Sequence, residues 1–209
     1  SSVELDVPRG ATVNLQVRDG DVDVSDVAEA RVESLNGDVN LERVSKGVEV
    51  SCMSGDVSLS DSAGRVRLRS VSGEVEASNV KTVEPGDDFT AISTSGDVSL
   101  DHIAHTQVKG QTIGGSVRMT GPLARGGSYD FTTTSGDVSL TLPPDASFRI
   151  NARVVASGDI VTDFPVKANV GPAVPGKDSH QSRLIGVVGS GDAYLNLTTF
   201  SGTVNLKRQ

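Results

Sequence analysis

The sequence predicts an all-β protein, built as a two-sheet, β-helix-like solenoid with tight glycine turns, half-repeats of about 9 residues and coils of about 18 residues. Three observations predict this fold. The 209-residue chain contains 31 Val, 26 Ser and 23 Gly but no Trp, a composition that favours strands and turns. A short motif of glycine, an acidic residue and valine recurs along the chain. After each glycine, apolar and polar residues alternate, as in a strand with one buried face.

The repeated motif occurs in ten copies, most of which read Ser-Gly-Asp-Val or a close variant. The first copies are 17, 18 and 18 residues apart, and weaker copies at Gly47 and Gly64 divide these intervals. We expect each motif glycine to turn a corner at positive φ, and the Asp beside it to bond to its own backbone one or two residues further on. The ten predicted structural turns are Gly20, Gly37, Gly55, Gly73, Gly96, Gly115, Gly136, Gly158, Gly191 and Gly202.

Apolar residues fall two, four and often seven positions after a glycine, and we expect them to stack in columns inside the solenoid. A helix is excluded because no stretch shows a helical apolar stripe and the glycines recur too often. The clearest candidates for the interior columns are Val57, Leu59, Val98, Leu100, Val138 and Leu140. Applied to the weaker copy at Gly64, the same rule places Val66, Leu68 and Val71 inside.

The chain is interpreted as a single solenoid domain over residues 1–209, in which successive coils stack in sequence order. A regular period would give roughly 11 coils at about 4.8 Å per coil. The segments that break the repeat are 1–20, expected to be an N-terminal cap, the loops 81–92 and 121–130, and the long irregular stretch 163–189. The last strand, 202–209, ends in charged residues, which suits a protected sheet edge.

Charge and composition exclude several partners. The net charge is −8 and the longest run of basic residues is Lys207-Arg208, so we expect no nucleic-acid partner. No apolar stretch reaches the roughly 18 residues that a membrane span needs. The single cysteine, Cys52, rules out an internal disulfide and is expected to be a small buried thiol.

A family resemblance rests on three features of the sequence. These are the ordered series of Ser-Gly-Asp-Val corners, the segment LPPDASFRINARVVASGDI at 142–160 and the closing segment GSGDAYLNLTTFSGTVNLKR at 189–208. Together they resemble the bacterial adhesins built from β-strand repeats, a family related to the autotransporter adhesin head domain. The resemblance covers nearly the whole chain. It implies a two-sheet β superhelix with tight glycine turns, exported or anchored at the cell envelope, with a role in adhesion or scaffolding.

Segment 171–178 matches the spacing of a phosphate-binding loop up to its last position, where Asp178 replaces the required hydroxyl. Pro172 and Pro175 also remove backbone donors, so a surface loop is the better interpretation.

Two further patterns contain residue types that bind metal ions. Asp101, His102 and His105 could share a zinc ion only in a turn, and we expect both histidines to flank Ile103 on the surface. The motif aspartates follow their glycine directly, one position earlier than in the calcium-binding nonapeptide, which favours turn capping and leaves weak calcium binding open. These aspartates are Asp21, Asp38, Asp56, Asp97 and Asp137.

No catalytic motif is complete, so the sequence predicts a non-enzymatic solenoid of the cell envelope or extracellular space. We expect an adhesin or scaffold that binds a protein, a glycan or another copy of itself through its exposed faces and loops, without metal or cofactor. The alternative is a polysaccharide-acting β-helix enzyme, a lyase or glycosidase, which would need a groove with clustered carboxylates, Arg and stacked aromatics. The few aromatic residues are dispersed along the chain.

Overall fold

The computed structural model describes Pro8, residues 10–168 and residues 182–209. Within these ranges the secondary structure consists of β-strands arranged in two sheets, and no helix occurs there. The predicted all-β, two-sheet solenoid is confirmed.

Up to residue 162 the strands belong alternately to the first and the second sheet, after which three successive described strands belong to the first sheet. The described strands of the first sheet are β1 (Thr12–Asp19), β3 (Glu29–Asn36), β5 (Gly47–Ser54), β7 (Arg65–Ser72), β9 (Asp88–Ile92), β11 (Gln107–Gln111), β13 (Ser128–Ser135), β15 (Phe148–Ser157), β17 (Lys167–Ala168), β18 (Ser182–Val188) and β19 (Ala193–Ser201). The described strands of the second sheet are β2 (Val22–Ser25), β4 (Val39–Glu42), β6 (Val57–Ser60), β8 (Val75–Lys81), β10 (Val98–Ala104), β12 (Val117–Thr120), β14 (Val138–Leu142), β16 (Ile160–Thr162) and β20 (Val204–Arg208).

Each coil contributes one strand to each sheet, and corresponding strands of neighbouring coils pair in parallel. The register keeps like residues together: Val22 pairs with Val39 and Val39 with Val57. The regular part of the solenoid makes about six turns. The second sheet has nine described strands, fewer than the predicted coils, because insertions lengthen the later coils.

The two halves of a coil are not equivalent. In the first sheet a strand such as β5 runs straight for eight residues and ends at a glycine corner. In the second sheet a strand such as β4 has four residues, and the corner that follows it has a non-glycine residue at positive φ. Such residues tolerate the left-handed conformation in varying degree, Asn and Asp best. The residues at this second corner are Asp26, Arg43, Asp61, Asn79 and His102.

This difference corrects the prediction for Val71. Val66 and Leu68 are buried as expected, but the side chain of Val71 is 45% exposed. The seven-position rule holds only where the chain bends after a short strand, whereas β7 continues straight and alternation turns Val71 outward.

The interior columns are confirmed. The six residues named as their clearest candidates are each at most 2% exposed. Several aromatic residues also lie in the core, and Gly110 makes room for one of them: a Cβ there would lie 2.8 Å from the Phe131 ring. The buried aromatic side chains are Phe89, Tyr129, Phe131, Phe148 and Phe164.

The coils do not all stack in sequence order. The last coil, β19 and β20, lies between the β13–β14 coil and the β15–β16 coil. β18 runs antiparallel along the other side of β15, and β17 pairs with β18. β20 therefore pairs on both sides, with β14 and β16, so the prediction that residues 202–209 form a sheet edge is wrong.

The predicted loops contain more strand than expected. Segment 81–92 ends in β9 and segment 121–130 in the start of β13, where buried aromatic residues resume the alternation. Segment 163–189 contains β17 and β18, and its residues 169–181 lie outside the described residues. Within 1–20, the described strand β1 is the first strand of its sheet.

Candidate binding surface

Nine of the ten predicted turn glycines stack at one corner of the solenoid, between the first and second sheets. Gly37 and Gly55 have φ of +117° and +138°. A Cβ on Gly37 would lie 2.3 Å from the carbonyl oxygen of Gly20, and one on Gly55 would lie 2.2 Å from that of Gly37. Both the backbone conformation and the close approach of the next coil therefore require glycine.

Three of the predicted turn glycines depart from this description, two in their φ angle and one in its position. Gly96 and Gly115 do not have positive φ, yet a Cβ on Gly96 would lie 2.0 Å from the Gly73 carbonyl oxygen. Gly191, with φ of +76°, lies in the turn before β19, where a Cβ would meet the Arg149 side chain instead of another corner glycine. It is a turn residue outside the corner column.

The acidic residues that follow the glycines form a row along this corner. We call Asp21, Asp38, Asp56, Glu74 and Asp97 the acidic ladder. The backbone N–H of Asp56 donates to Oδ1 of Asp38 at 2.9 Å, and that of Glu74 donates to Oδ1 of Asp56 at 2.7 Å. The expected bonds to the residue's own backbone are replaced by bonds to the next coil. Each such bond satisfies a corner N–H and joins two coils.

A second row of side chains, which the sequence analysis did not predict, stabilises the glycine corner from inside the solenoid. A buried hydroxyl lies three residues before several of the corner glycines and donates to the carbonyl oxygen of the preceding corner glycine. Thr133 Oγ1 donates to Gly115 at 2.7 Å, and Thr199 Oγ1 donates to Gly136 at 3.0 Å. The members of this hydroxyl ladder are Ser70, Ser93, Thr112, Thr133 and Thr199. A Ser or Thr recurring three positions before the glycine is the sequence signal that could have revealed it.

Cys52 occupies the same position in its own coil. It is buried as predicted, and its thiol lies 3.6 Å from the carbonyl oxygen of Gly37. Burial raises the pKa of this thiol above its ordinary value, which keeps it protonated at neutral pH.

Two residues before the corner glycines, apolar side chains point outward from the first sheet. Their exposed fractions lie between 44% and 52%, too high for core residues. We call this row the apolar stripe: Leu35, Met53, Val71, Ile113 and Phe200. The first three belong to consecutive coils, since β3, β5 and β7 are paired in register. Sequence reasoning missed the stripe because it assigned alternate outward positions to a polar face.

The apolar stripe and the acidic ladder run side by side. In three consecutive coils, those of Leu35, Met53 and Val71, the stripe residue and the ladder residue are three positions apart, with the corner glycine between them. Three residues of chain span at most about 10 Å. Leu35 thus lies close to Asp38, and Met53 close to Asp56. The described residues form no ion pair with Asp38, Asp56 or Glu74, whereas Asp97 pairs with Arg118 at 3.0 Å.

The rest of the outer face of the first sheet is balanced in charge. Arg31 pairs with Glu49 at 3.3 Å, and Asp88 with Arg65 at 2.9 Å. Beside the stripe, a depression of about 530 Å³ is lined in part by Arg18, Glu33, Leu35 and Met53. Its lining combines both charges with the exposed apolar side chains.

The two histidines of β10 and the turn after it differ from each other. His102 is exposed as predicted, and its Nδ1 lies 2.9 Å from Oδ1 of Asp101. His105 is fully buried, so its predicted surface position is wrong. The alternation of β10 continues beyond the strand, which turns His105 to the same inward face as Ile103.

The buried His105 is held by one hydrogen bond and a ring contact. Its Nε2 lies 2.9 Å from the Gly64 carbonyl oxygen, and its ring meets the Phe89 ring edge-on at 5.7 Å. Burial lowers the pKa of His105 below its ordinary value, although the Gly64 carbonyl and the carboxylates of Asp87 and Asp88 act in the opposite direction. The imidazole is therefore neutral at pH 7.

A groove lies at the second corner, where loop 121–127 lies beside two of the positive-φ residues, Asn79 and His102. It has a volume of about 330 Å³ and is lined by Asn79, Lys81, His102, Ile103, Ala104, Pro122, Leu123 and Ala124. The Tyr129 hydroxyl fixes the loop, since it accepts from the Ala124 N–H at 2.7 Å and donates to the His105 carbonyl at 3.2 Å. One of the predicted recognition loops thus forms a wall of this groove.

Neither metal pattern assembles as a site. Within residues 10–168 and 182–209, no three His, Cys, Asp or Glu side chains converge to hold a metal ion. Asp101 and His102 point outward while His105 lies in the core. The phosphate-loop-like segment 171–178 and His180 lie outside the described residues.

These features define the protein as a β-solenoid repeat domain whose exposed surface combines an apolar stripe with an acidic ladder. The family model for the Toastrack DUF4097 domain matches residues 1–207, and the chain belongs to that family. Neither a curated protein nor a solved structure matches the chain. The family assignment agrees with the β-repeat character expected from the adhesin resemblance. Among the described residues, no helix is long and apolar enough to cross a membrane.

Proposed function

We propose that this Toastrack β-solenoid is a non-enzymatic scaffold that binds a partner through its exposed faces and loops, with another protein as the main partner. The apolar stripe carries this proposal. Five half-exposed apolar side chains lie in one row along the solenoid, two of them beside a surface depression. Contiguous exposed apolar surface on a soluble domain commonly marks an interaction site.

The aromatic residues favour a protein over a glycan as the main partner. Sugar-binding faces use exposed aromatic rings as platforms, yet five of the seven aromatic side chains are buried. The two exposed rings, Tyr194 and Phe200, are at opposite ends of β19 and lie about 20 Å apart at strand spacing. They do not form a continuous platform.

The described carboxylates also support a scaffold over a polysaccharide-acting enzyme. Asp38 and Asp56 accept backbone hydrogen bonds at the corner, and Asp88 pairs with Arg65. Such bonds give these carboxylates a structural role, whereas glycoside hydrolysis needs a pair of carboxyl groups that flank the scissile bond. We therefore propose a role without catalysis.

We further propose that the domain works at the cell envelope, exported or anchored through a segment outside this chain. The resemblance to repeat-built adhesins supports this location. Fractionation of the full-length protein in its native cell, with protease added to intact cells, tests it. Recovery in the cytosolic fraction alone would contradict the proposal.

Photo-cross-linking in the native cell tests the binding role. A cross-linking amino acid replaces Met53 in the stripe, Pro122 in the groove loop, or Ser139 on the outer face of the second sheet as the control. We expect discrete adducts from Met53 or Pro122 and none from Ser139. Equal labelling at all three positions, or turnover of an envelope polysaccharide by the purified protein, would refute the scaffold role.

A further inference from the structure

We propose that the apolar stripe and the acidic ladder together form a docking site for an amphipathic α-helix of a partner protein, with Lys or Arg along one flank of the helix. This inference rests on the proposed scaffold function and specifies the partner for that surface. The helix would lie along the solenoid axis, across the ends of the first-sheet strands. Its apolar face would contact the stripe, and its basic flank would face the corner.

The spacing of the stripe selects a helix. Leu35, Met53 and Val71 occupy consecutive coils, so their side chains recur about every 4.8 Å. An α-helix presents one residue per turn every 5.4 Å, a mismatch of about 0.6 Å per coil. An extended strand repeats its face about every 6.8 Å, a mismatch near 2 Å per coil. A helix therefore stays in register with these three consecutive stripe residues, and a strand does not.

The charges beside the stripe select a basic flank. The ladder has a carboxylate in each of five consecutive coils, and Asp38, Asp56 and Glu74 form no ion pair with the described residues. In the hydrogen bonds between coils, Asp38 and Asp56 use Oδ1. A partner that covers the apolar stripe would exclude water from the carboxylates beside it. This exclusion of water would strengthen an ion pair to these carboxylates.

The same charges disfavour two other occupants. A second copy of the chain would bring a stripe flanked by its own acidic ladder and would offer no basic row to the first ladder. An anionic lipid surface would likewise be repelled by the ladder. A basic amphipathic helix is the occupant that satisfies both rows.

The test uses a labelled helical peptide of about 14 residues, which spans about 21 Å, with one Leu per turn and Lys along one flank. Its control carries Glu in place of Lys. Fluorescence anisotropy measures binding to the purified full chain. We expect the Lys peptide to bind and the Glu peptide to bind at least tenfold more weakly, with the affinity of the Lys peptide falling as salt rises.

Matched variants separate the contributions of the apolar stripe and the acidic ladder to peptide binding. Asp38→Asn with Asp56→Asn keeps the oxygen that accepts the corner N–H but removes the charge, and should weaken the Lys peptide roughly two- to tenfold. Leu35→Ser, Met53→Ser and Val71→Ser together should weaken it by about a hundredfold or more. Val83→Ser with Val161→Ser, which changes exposed apolar residues outside the stripe, should leave binding unchanged.

Equal binding of the two peptides, or binding insensitive to the stripe variant, would overturn the inference. Binding of the full chain to anionic vesicles would also overturn the inference if the stripe variant loses that binding. Self-association of the full chain would overturn it if the stripe variant no longer self-associates. If Met53 cross-links a partner in cells and neither peptide binds, the scaffold function stands and the helix assignment fails. If neither Met53 nor Pro122 gives an adduct, the scaffold function itself fails.

Discussion

At the residue scale, two constraints require glycine at most of the corners: the positive φ and the close approach of the next coil. Gly55 has φ of +138°, and an added Cβ would lie 2.2 Å from the Gly37 carbonyl oxygen. The first constraint is visible in the Ser-Gly-Asp-Val motif, because glycine before Asp is typical of a turn at positive φ. The second depends on the neighbouring coil and becomes visible only when the coils are stacked.

Gly55→Ala separates these constraints. We expect it to lower the free energy of unfolding by about 3 kcal/mol or more, because it adds a clash to the backbone strain. Gly86→Ala is the matched control: Gly86 has φ of +101°, but a Cβ there meets nothing within 4 Å. It should cost only about 1 kcal/mol. Urea denaturation measures both, and equal losses would show that the close approach of the coils is not a constraint.

The hydroxyl ladder gives a second test at this scale. Thr133→Val keeps the shape of the side chain but removes the donor to the Gly115 carbonyl, and should cost about 1–3 kcal/mol. Its exposed neighbour Thr134, changed to Val, should stay within about 0.5 kcal/mol of the original protein. The difference between the two thermal unfolding curves measures the buried hydrogen bond, and indistinguishable curves would contradict its role.

The buried His105 predicts how stability depends on pH. Burial lowers its pKa in the folded state, so below about pH 6.5 the unfolded chain takes up the proton first. The free energy of unfolding should be greatest above this pH and fall as the pH drops. Asp87 acts in a separate window, because hydrogen bonds from the Glu84 and Val83 N–H groups lower its pKa and its contribution is lost only at more acidic pH.

His105→Gln should remove the change in the free energy of unfolding between pH 7 and 5. Urea titrations at several pH values measure this change. His102→Gln, at an exposed histidine, should leave it in place. If both variants lose stability with pH as the original protein does, another group is responsible.

At the element scale, period-two alternation predicted the interior columns, and residues such as Val98 and Leu140 are fully or almost fully buried. The seven-position rule misplaced Val71, and the expectation that both histidines flank Ile103 on the surface misplaced His105, because alternation continues or resets at a corner according to the length of the preceding strand. The 18-residue repeat contains two different corners, and only one of them uses a motif glycine. Local sequence does not reveal which corner follows a given strand.

The position of the last coil in the stack could not be predicted from the sequence. The motif at Gly202 resembles the others, yet its coil lies between two coils that precede it in the chain. A Cβ on Gly202 would lie 2.1 Å from the Gly136 carbonyl oxygen, and one on Gly158 would lie 1.9 Å from that of Gly202. Since every coil presents nearly the same pairing edge, a repeat pattern does not specify the order of its copies.

This order predicts strong protection at the C-terminus. Because β20 pairs with both β14 and β16, the amides of Leu206 and Lys207 should exchange as slowly as those in β14. Hydrogen exchange followed by NMR measures this directly. Fast exchange of these amides, as in a frayed terminal strand, would contradict the inserted position.

At the scale of the whole molecule, the solenoid places its apolar residues in two populations with different roles. The larger population fills the interior, and the smaller one forms the exposed stripe beside the acidic ladder. Sequence reasoning predicted the first population, but it assigned the outward positions to a featureless polar face. Leu35, Met53 and Val71 lie 18 positions apart in the sequence and become neighbours only through the parallel register.

The two methionines of the chain offer the most direct test, because Met53 is 52% exposed in the stripe whereas Met119 is 1% exposed in the core. Methyl-labelled methionine gives one NMR signal from each, so a titration with the Lys-flanked helical peptide reports the outer surface and the interior together. We predict that the Met53 signal shifts while the Met119 signal stays in place. A Met53 signal that does not move, or equal movement of both signals, would contradict docking on the apolar stripe.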